Sequence, residues 1–514
     1  MTIPNPVPPP AQGSFIGRYR PIFYLALAGL FLLGLGIRFT NLTNPPLEFH
    51  PTRQLRSAII ARAIYYQMLP SADPTTRQMA IQLWSTLENL EPPNFERLVA
   101  LTYLAAGGEY LWIPRVYSII FWMIGGLVLF DLARRMISRA GALVTLGYYL
   151  LLPFGAIVSR TFQPDSLMVM GIILSAWAIY RWSESPTWRW AILAGLLSGL
   201  TMFIKITAIF PLAPIAAATV LSRFGLRSAL RNRQVWVMAF IMGIIPWVYY
   251  IGTIGSSSAG HFEFWSLSFA GLLLKPRFYV LWLNLLSDLM SLAVIVIGLV
   301  GIMLFSRITQ RMLVLGWWVG YALYGFAFPY HIHTHEYYSL MLVPAIALSL
   351  APVGELIINK VTLQPRVWQV FTLAALFLAI AYPSWIAYTG IKGVNYRDEI
   401  LGWIKMGKAL PSDGSIIALT HDYGFRVEYY GWHPVSYWPT SIDFNMDAER
   451  GDSGSPNFEQ MFKEKTAGKD YFLVTLFGEL DAQPALKDRL YNNYPIYAQG
   501  DGYVLFDLRH PKNP

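Results

Sequence analysis

Four short stretches hold most of the side chains that could do chemistry in an otherwise apolar chain. The first is Pro45-Pro46-Leu47-Glu48-Phe49-His50-Pro51-Thr52-Arg53-Gln54, with Arg56 just beyond it. The second is Ser159-Arg160-Thr161-Phe162-Gln163-Pro164-Asp165. The third is Lys205, alone between two apolar runs, and the fourth is His331-Ile332-His333-Thr334-His335-Glu336-Tyr337-Tyr338. A carboxylate or an imidazole can take a proton from a hydroxyl group, and guanidinium and ammonium groups hold phosphate or another anion. Together the four stretches contain the parts for a reaction that moves a proton and stabilises a negative charge.

Each part also has a plainer use. Arginines beside an apolar run touch lipid phosphates, an acid at a helix start acts as a cap, Arg160 can snorkel, and Tyr337 and Tyr338 suit an aromatic belt. Lys205 is harder to set aside, because a lone lysine in an apolar hairpin costs a few kcal/mol unless an anion meets it. Arg53 and Arg56 lie three apart, which crowds like charge on one helix face unless an anion sits between them. His331, His333 and His335 alternate, so an extended loop would line up three imidazoles. With Glu336 that leaves a divalent cation open, although histidines in interfacial loops are commoner than metal ligands.

The elements that must position these groups follow from composition. The chain has 514 residues, 55% hydrophobic and 13% charged, against roughly a quarter charged in soluble domains. Its apolar residues come in runs of roughly twenty, enough to cross about 30 Å of hydrocarbon as helix. Continuous runs rather than alternation exclude a β-barrel. The absence of cysteine excludes disulfides and thiolate chemistry. The expected fold is a polytopic α-helical membrane protein.

The first span is expected at 22–39, after a disordered Pro-rich tail at 1–21. The segment 41–111 is too polar to cross and reads as a loop carrying amphipathic helices along the interface; Pro51 suits a first helical turn. Ten further runs, at 112–132, 142–158, 167–182, 190–203, 206–221, 235–250, 282–305, 313–330, 338–351 and 367–388, bring the expected total to about eleven spans. With the N-terminus in the cytoplasm, most loop arginines fall inside, which accounts for much of the +9 net charge without nucleic acid. The same topology puts all four chemical stretches on the outer face. Asp288 stands apart, within an apolar run.

Residues 390–514 read as an exported α/β domain. Helices are expected at 397–410 and 484–492, buried strands at 415–420 and 471–477, and a hairpin from 495–499 and 503–508 around Gly500-Asp501-Gly502. Tyr429, Tyr430, Trp432 and Trp438 are the kind of aromatic residues that stack on sugars, although core packing is the commoner use.

The order of Glu48 after the first span, then Pro153…Ser159-Arg160…Pro164-Asp165-Ser166, Gly199-Leu200-Thr201…Lys205 and His335-Glu336-Tyr337-Tyr338…Pro344, resembles the GT-C-type membrane glycosyltransferases. Within them it is most similar to the protein mannosyltransferase and aminoarabinose transferase superfamily. The resemblance covers residues 22–351, and the exported tail matches the general plan. It implies a polyprenyl-phosphate-linked sugar as donor, used on the outer face, and an inverting transfer. It implies that Glu48 is the general base or orients the acceptor, and that Asp165 supports the site. Many members carry Asp or Asp-Glu at the first position; here a single Glu48 precedes His50, so either can take the proton.

Arg53, Arg56, Arg160 and Lys205 are then candidates for the donor phosphate, and His333, His335, Glu336, Tyr337 and Tyr338 for the rest of the substrates. The acceptor is a protein Ser or Thr, a lipid or a cell-envelope glycan, and the location a bacterial inner membrane. A transporter or lipid flippase would instead spread ionisable residues through mid-membrane helices, with Asp288 among them. A receptor with an anchored ligand-binding domain would leave eleven spans and four polar stretches without purpose.

Overall fold

The computed structural model describes residues 20–252, 255–451 and 457–512; the expected tail at 1–21 lies almost wholly outside them. The chain is mostly helical. Helix α1 (Arg20–Phe39) leads into three helices of the first loop, α2 (Pro51–Met68), α3 (Pro74–Ser85) and α4 (Asn94–Ala106). The bundle continues with α5 (Trp112–Met136), α6 (Arg139–Leu151), α7 (Pro153–Val158), α8 (Asp165–Glu184), α9 (Trp188–Ile204), α10 (Ile209–Phe224) and α11 (Arg233–Tyr250). It closes with α12 (Pro276–Met290), α13 (Leu292–Met303), α14 (Ile308–Ala327), α15 (Pro329–Thr334), α16 (Val343–Val361) and α17 (Arg366–Lys392).

Among the described residues, six helical stretches are long and apolar enough to cross a bilayer, or seven if the bent pair Phe262–Leu274 and Pro276–Met290 counts as one span. Other expected runs form shorter or broken helices, for identifiable reasons. The run at 142–158 divides at Leu152, which is extended (φ −57°, ψ 123°) because the following Pro153 disfavours helical backbone before it. The run at 282–305 divides at Ser291, where φ is +64° and α12 cannot continue into α13. The break at Lys205 falls where expected: it is extended (φ −152°, ψ 115°) between α9 and a single 3₁₀ turn, Ile206–Ala208.

Close helix packing depends on small residues where lipid supplies no hydrophobic drive. On α14, a Cβ at Gly316 would come 2.6 Å from the Pro214 carbonyl oxygen, and one at Gly320 would strike that of Phe210. Only glycine lets α10 and α14 approach so closely, and that approach sets the helix after Lys205 against the helix leading to the histidine segment.

The first loop is a unit with its own core. Leu55 and Ile59 of α2, Leu83 of α3, and Phe95, Val99 and Tyr103 of α4 are buried together with Ile113, Phe162 and Tyr429. The helices are therefore anchored to the bundle through Phe162 and to the C-terminal unit through Tyr429.

That C-terminal unit holds a five-stranded sheet in the order β2-β1-β3-β5-β4, from β1 (Ile416–Leu419), β2 (Val435–Tyr437), β3 (Tyr471–Val474), β4 (Ile496–Gly500) and β5 (Tyr503–Asp507). The β1–β2 and β1–β3 pairs are parallel, while β3–β5 and β4–β5 are antiparallel. Buried residues lie on both faces of the sheet. The aromatic residues considered as a sugar platform are put to other uses. Tyr429 and Trp438 are buried, and the Arg62 guanidinium sits 3.8 Å from the Tyr429 ring and 4.1 Å from the Trp432 ring. Arg62 also pairs with Glu109 at 3.1 Å and donates to the Tyr429 carbonyl at 2.5 Å. This is a joint between the first loop and the sheet unit.

Candidate functional site

The site is assembled from segments tied together by buried hydrogen bonds. The end of α1 and the segment 159–165 are clasped first. Arg38 Nε donates to Ser159 Oγ at 2.7 Å, and Arg160 donates from Nη1 and Nη2 to the carbonyls of Thr40 and Asn41 at 2.6 and 2.9 Å. Gln54, fully buried on α2, then links the loop before it to the same segment. Its Nε2 donates to the Phe49 carbonyl at 2.7 Å, and its Oε1 accepts from the Phe162 N–H at 3.0 Å.

Glu48 thereby meets Arg115 from the start of α5, whose Nη2 lies 2.6 Å from Oε1 and 2.8 Å from Oε2. Arg115 is wholly buried, and its Nε and Nη1 have no hydrogen-bond partner. Two residues on, His50 adopts φ +42°, ψ 65° directly before Pro51. That left-handed backbone is uncommon outside glycine and recurs at functional sites. Its side chain does not cap α2. Instead Nε2 lies 2.6 Å from Glu336 Oε2, and the ring meets Tyr337 edge-on at 4.8 Å and stacks on His335 at 5.7 Å. Burial, and after it the neighbouring His50, pushes His335 down to about 4, so its imidazole is neutral near pH 7.

A second charge cluster adjoins the first across the Tyr337 ring. Lys205 Nζ lies 2.9 Å from Asp165 Oδ1 and 3.7 Å from Glu91 Oε1. Glu91 Oε2 in turn lies 3.5 Å from Arg53 Nη2. Arg53 and Lys205 stand 5.7 and 5.6 Å from the centre of the Tyr337 ring, one cation of each helix system on the same aromatic residue. Asp165 is 2% exposed, and its Oδ2 has no hydrogen-bond partner. Burial of Arg53 would by itself lower its proton affinity; Glu91, Tyr337 and Asp165 outweigh it and hold the guanidinium firmly charged.

Glu48, His50, Arg53, Asp165, Lys205, His335, Glu336, Tyr337 and Tyr338 thus gather in one region. Three other expected residues are engaged elsewhere. Both terminal nitrogens of Arg160 are spent on backbone carbonyls, and burial followed by Arg115 pushes its guanidinium down to about 10. Arg56 donates to the Glu88 carbonyl at 2.5 Å. His333 Nδ1 donates to the carbonyl of Pro329 at 2.7 Å, within its own helical turn. The histidine segment is not extended: His331 and His333 lie on α15, which turns their side chains apart. Among the described residues, no three His, Cys, Asp or Glu side chains stand close enough to hold a metal ion.

Arg115 and Glu91 have no place among the residues expected from sequence, and Gln54 closes the first stretch with no role assigned to it. Arg115 carried a usable signal, an arginine in the first turn of an otherwise apolar run. Glu91 and Gln54 gave none, since both occur in a polar loop with many similar residues.

An apolar cavity of about 1320 Å³ opens beside this region, between α1, α6, α7, α17 and the α12–α13 bend. It reaches Phe49 and Glu336 at the site and Asp288 and Ser291 at the bend. Asp288, on which a transporter reading leans, carries no hydrogen bond or ion pair among the described residues.

Comparisons with known proteins bear on the fold. The chain is similar in fold to the Archaeoglobus fulgidus oligosaccharyltransferase in its apo form, with 12% identity, a TM-score of 0.62, and 96% of this chain and 75% of that one covered. The archaeal oligosaccharyltransferase AglB from Archaeoglobus fulgidus, in complex with an inhibitory peptide and a dolichol-phosphate, matches at 13% identity and a TM-score of 0.59, covering 96% and 74%. ArnT from Cupriavidus metallidurans bound to undecaprenyl phosphate matches at 14% identity and a TM-score of 0.52, covering 96% and 98%. The fold is therefore the GT-C fold of multi-pass membrane glycosyltransferases. More narrowly, residues 91–250 match the family model of the dolichyl-phosphate-mannose-protein mannosyltransferases, a stretch that includes Asp165 and Lys205. No curated protein sequence matches the chain.

Proposed function

We propose that this protein is an integral membrane glycosyltransferase that moves a sugar from a polyprenyl-phosphate carrier to an acceptor at the outer face of a bacterial inner membrane. The observation that carries this reading is the juxtaposition of two cations, Arg53 and Lys205, with a His50–Glu336 pair and an apolar cavity large enough for lipid. The carrier's tail lies in the cavity and its phosphate meets Arg53 and Lys205. The relatives described above whose structures hold undecaprenyl phosphate or dolichol-phosphate share this fold, which supports a carrier of that class.

The chemistry is a single displacement. The acceptor hydroxyl oxygen bonds to the anomeric carbon, the bond from that carbon to the phosphate oxygen breaks, and the polyprenyl phosphate leaves with its electron pair. The hydroxyl proton goes to His50, which Glu336 orients through Nε2. Glu48, held by Arg115, orients the acceptor. Arg53 and Lys205 meet the charge that grows on the departing phosphate, where charge-assisted bonds are strongest. Attack from the face opposite the phosphate inverts the anomeric centre. The sheet unit at 390–514 stands on the same outer side, docked on the first loop through Arg62 and Tyr429.

The test is a transfer assay. Purified protein given radiolabelled polyprenyl-phosphate sugars and a membrane extract should release polyprenyl phosphate and label an acceptor. Glu48→Gln and Asp165→Asn should fold and lose transfer; full activity in both would remove the site from this reading, and no consumption of any lipid-linked sugar would remove the function.

A further inference from the structure

The two arginines of α2 create a charge problem, and the protein solves it with its own chain. Arg53 and Arg56 lie three residues apart on one helix face and need an anion between or beside them. The connection between α3 and α4, residues 86–93, supplies it: Arg56 holds the Glu88 carbonyl at 2.5 Å, and Arg53 faces the Glu91 carboxylate at 3.5 Å. Glu91 also reaches across to Lys205, on the membrane-spanning side of the site, at 3.7 Å. Its two oxygens are divided, one toward each cation.

Those distances are informative. Tight charge-assisted N–H···O bonds are about 2.7–2.9 Å long, and Lys205 makes one of that length to Asp165. The contacts of Glu91 with Arg53 and Lys205, at 3.5 and 3.7 Å, are both longer than that. A phosphate monoester, with three free oxygens and more charge than a carboxylate, makes shorter charge-assisted bonds to the same two cations.

We propose that Glu91 is a displaceable internal anion: its carboxylate bridges Arg53 and Lys205, and the phosphate of the lipid-linked donor takes its place and releases the 86–93 connection. This rests on the donor reading given above and adds to it a gate on the same site. The connection then covers the cations when no donor is present and opens the acceptor side only once the phosphate is seated.

The experiment uses the full chain in nanodiscs of zwitterionic lipid, with undecaprenyl phosphate as the probe. Glu91→Gln removes the competitor and should tighten binding about tenfold, whereas Arg53→Gln should weaken it by a similar factor. Weaker or unchanged binding in Glu91→Gln, with Arg53→Gln still weakened, would overturn the proposal and leave the donor site standing. Unchanged binding in Arg53→Gln would overturn both. The chain has no cysteine, so Leu90→Cys in an otherwise intact protein gives a second readout that does not depend on Glu91 variants folding. Its reaction with a maleimide should speed up several-fold when undecaprenyl phosphate is added and stay unchanged with phosphatidic acid at the same mole fraction. An unchanged rate with undecaprenyl phosphate, or equal acceleration by phosphatidic acid, would overturn the assignment of the displacing anion to the donor.

Discussion

The two ends of the helical bundle use the same residue types in opposite ways. At one end Asp131 pairs with Arg134 at 2.6 Å and Arg135 at 2.5 Å, all three on the last turns of α5 and all at least 27% exposed. About 24–30 Å away along the same helix, Arg115 is wholly buried and pairs with Glu48, 67 residues distant in sequence. Asp165 and Lys205 are likewise almost fully buried and 40 residues apart, while His50 and Glu336, 24% and 38% exposed, are joined across 286 residues. Local exposed pairs contribute little to stability and serve mainly to mark a polar surface. Buried pairs between distant segments are costly to form and exist where a fold commits to holding charge in place. Under the proposed function, the contrast separates charges that suit a membrane boundary from charges assembled for chemistry.

The largest effect should come from the proton-handling groups. Glu48→Gln and His50→Gln should each lower kcat by about 10²–10⁴ while leaving donor binding within a few-fold, measured by transfer at saturating donor. Asp131→Asn, at the other end, should leave kcat unchanged. If Asp131→Asn were as damaging as Glu48→Gln, the contrast between the ends would carry no functional meaning.

Next in size is a stability effect at the buried pair. Lys205→Met leaves the Asp165 carboxylate buried without its cation and should destabilise the protein by about 3–5 kcal/mol. The double variant Asp165→Asn/Lys205→Met should recover most of that loss, by thermal denaturation in nanodiscs. The corresponding loss for Arg134→Ala should be about 0–1 kcal/mol.

Glu428 sharpens the comparison from the C-terminal unit, because it is a buried carboxyl facing no cation among the described residues. One of its oxygens lacks a partner, and burial, only partly offset by a bond from the Val435 N–H, pushes it up to about 7. Between about pH 4.5 and pH 7 the folded chain therefore keeps a proton that the unfolded chain has lost, so stability falls as pH rises through that window. The slope amounts to on the order of 3 kcal/mol in total. Glu428→Gln should flatten it, raising Tm above pH 7 and leaving Tm near pH 4 unchanged.

How much of this was legible in the sequence differs by residue. β1, β3 and the β4–β5 hairpin were readable because each is a short run of apolar or β-branched residues bounded by turn signals, as in Gly500-Asp501-Gly502. β2 was not, because Val435–Tyr437 has three residues, none fully buried. In the bundle, apolar runs announce helices but hide breaks: the expected spans ran straight through Pro153 and Ser291, and only the break at Lys205 was read. At the site, residue type and a shared membrane side were enough to collect Glu48, His50, Arg53, Asp165, Lys205 and Glu336. Partners were out of reach: nothing in sequence links Glu48 to Arg115 or His50 to Glu336, since those distances are set by tertiary packing. The same limit applies to Arg160, whose two terminal nitrogens donate to backbone carbonyls, and to Arg56, which donates to one, contacts that no side-chain pattern reveals.

The most direct measurement is donor turnover in sealed proteoliposomes, with polyprenyl-phosphate sugar and acceptor supplied on one face at a time. The account predicts release of polyprenyl phosphate only when both are present on the face that bears the sheet unit, with the release abolished by Glu48→Gln. Turnover from the opposite face alone, or equal turnover in Glu48→Gln, would contradict it.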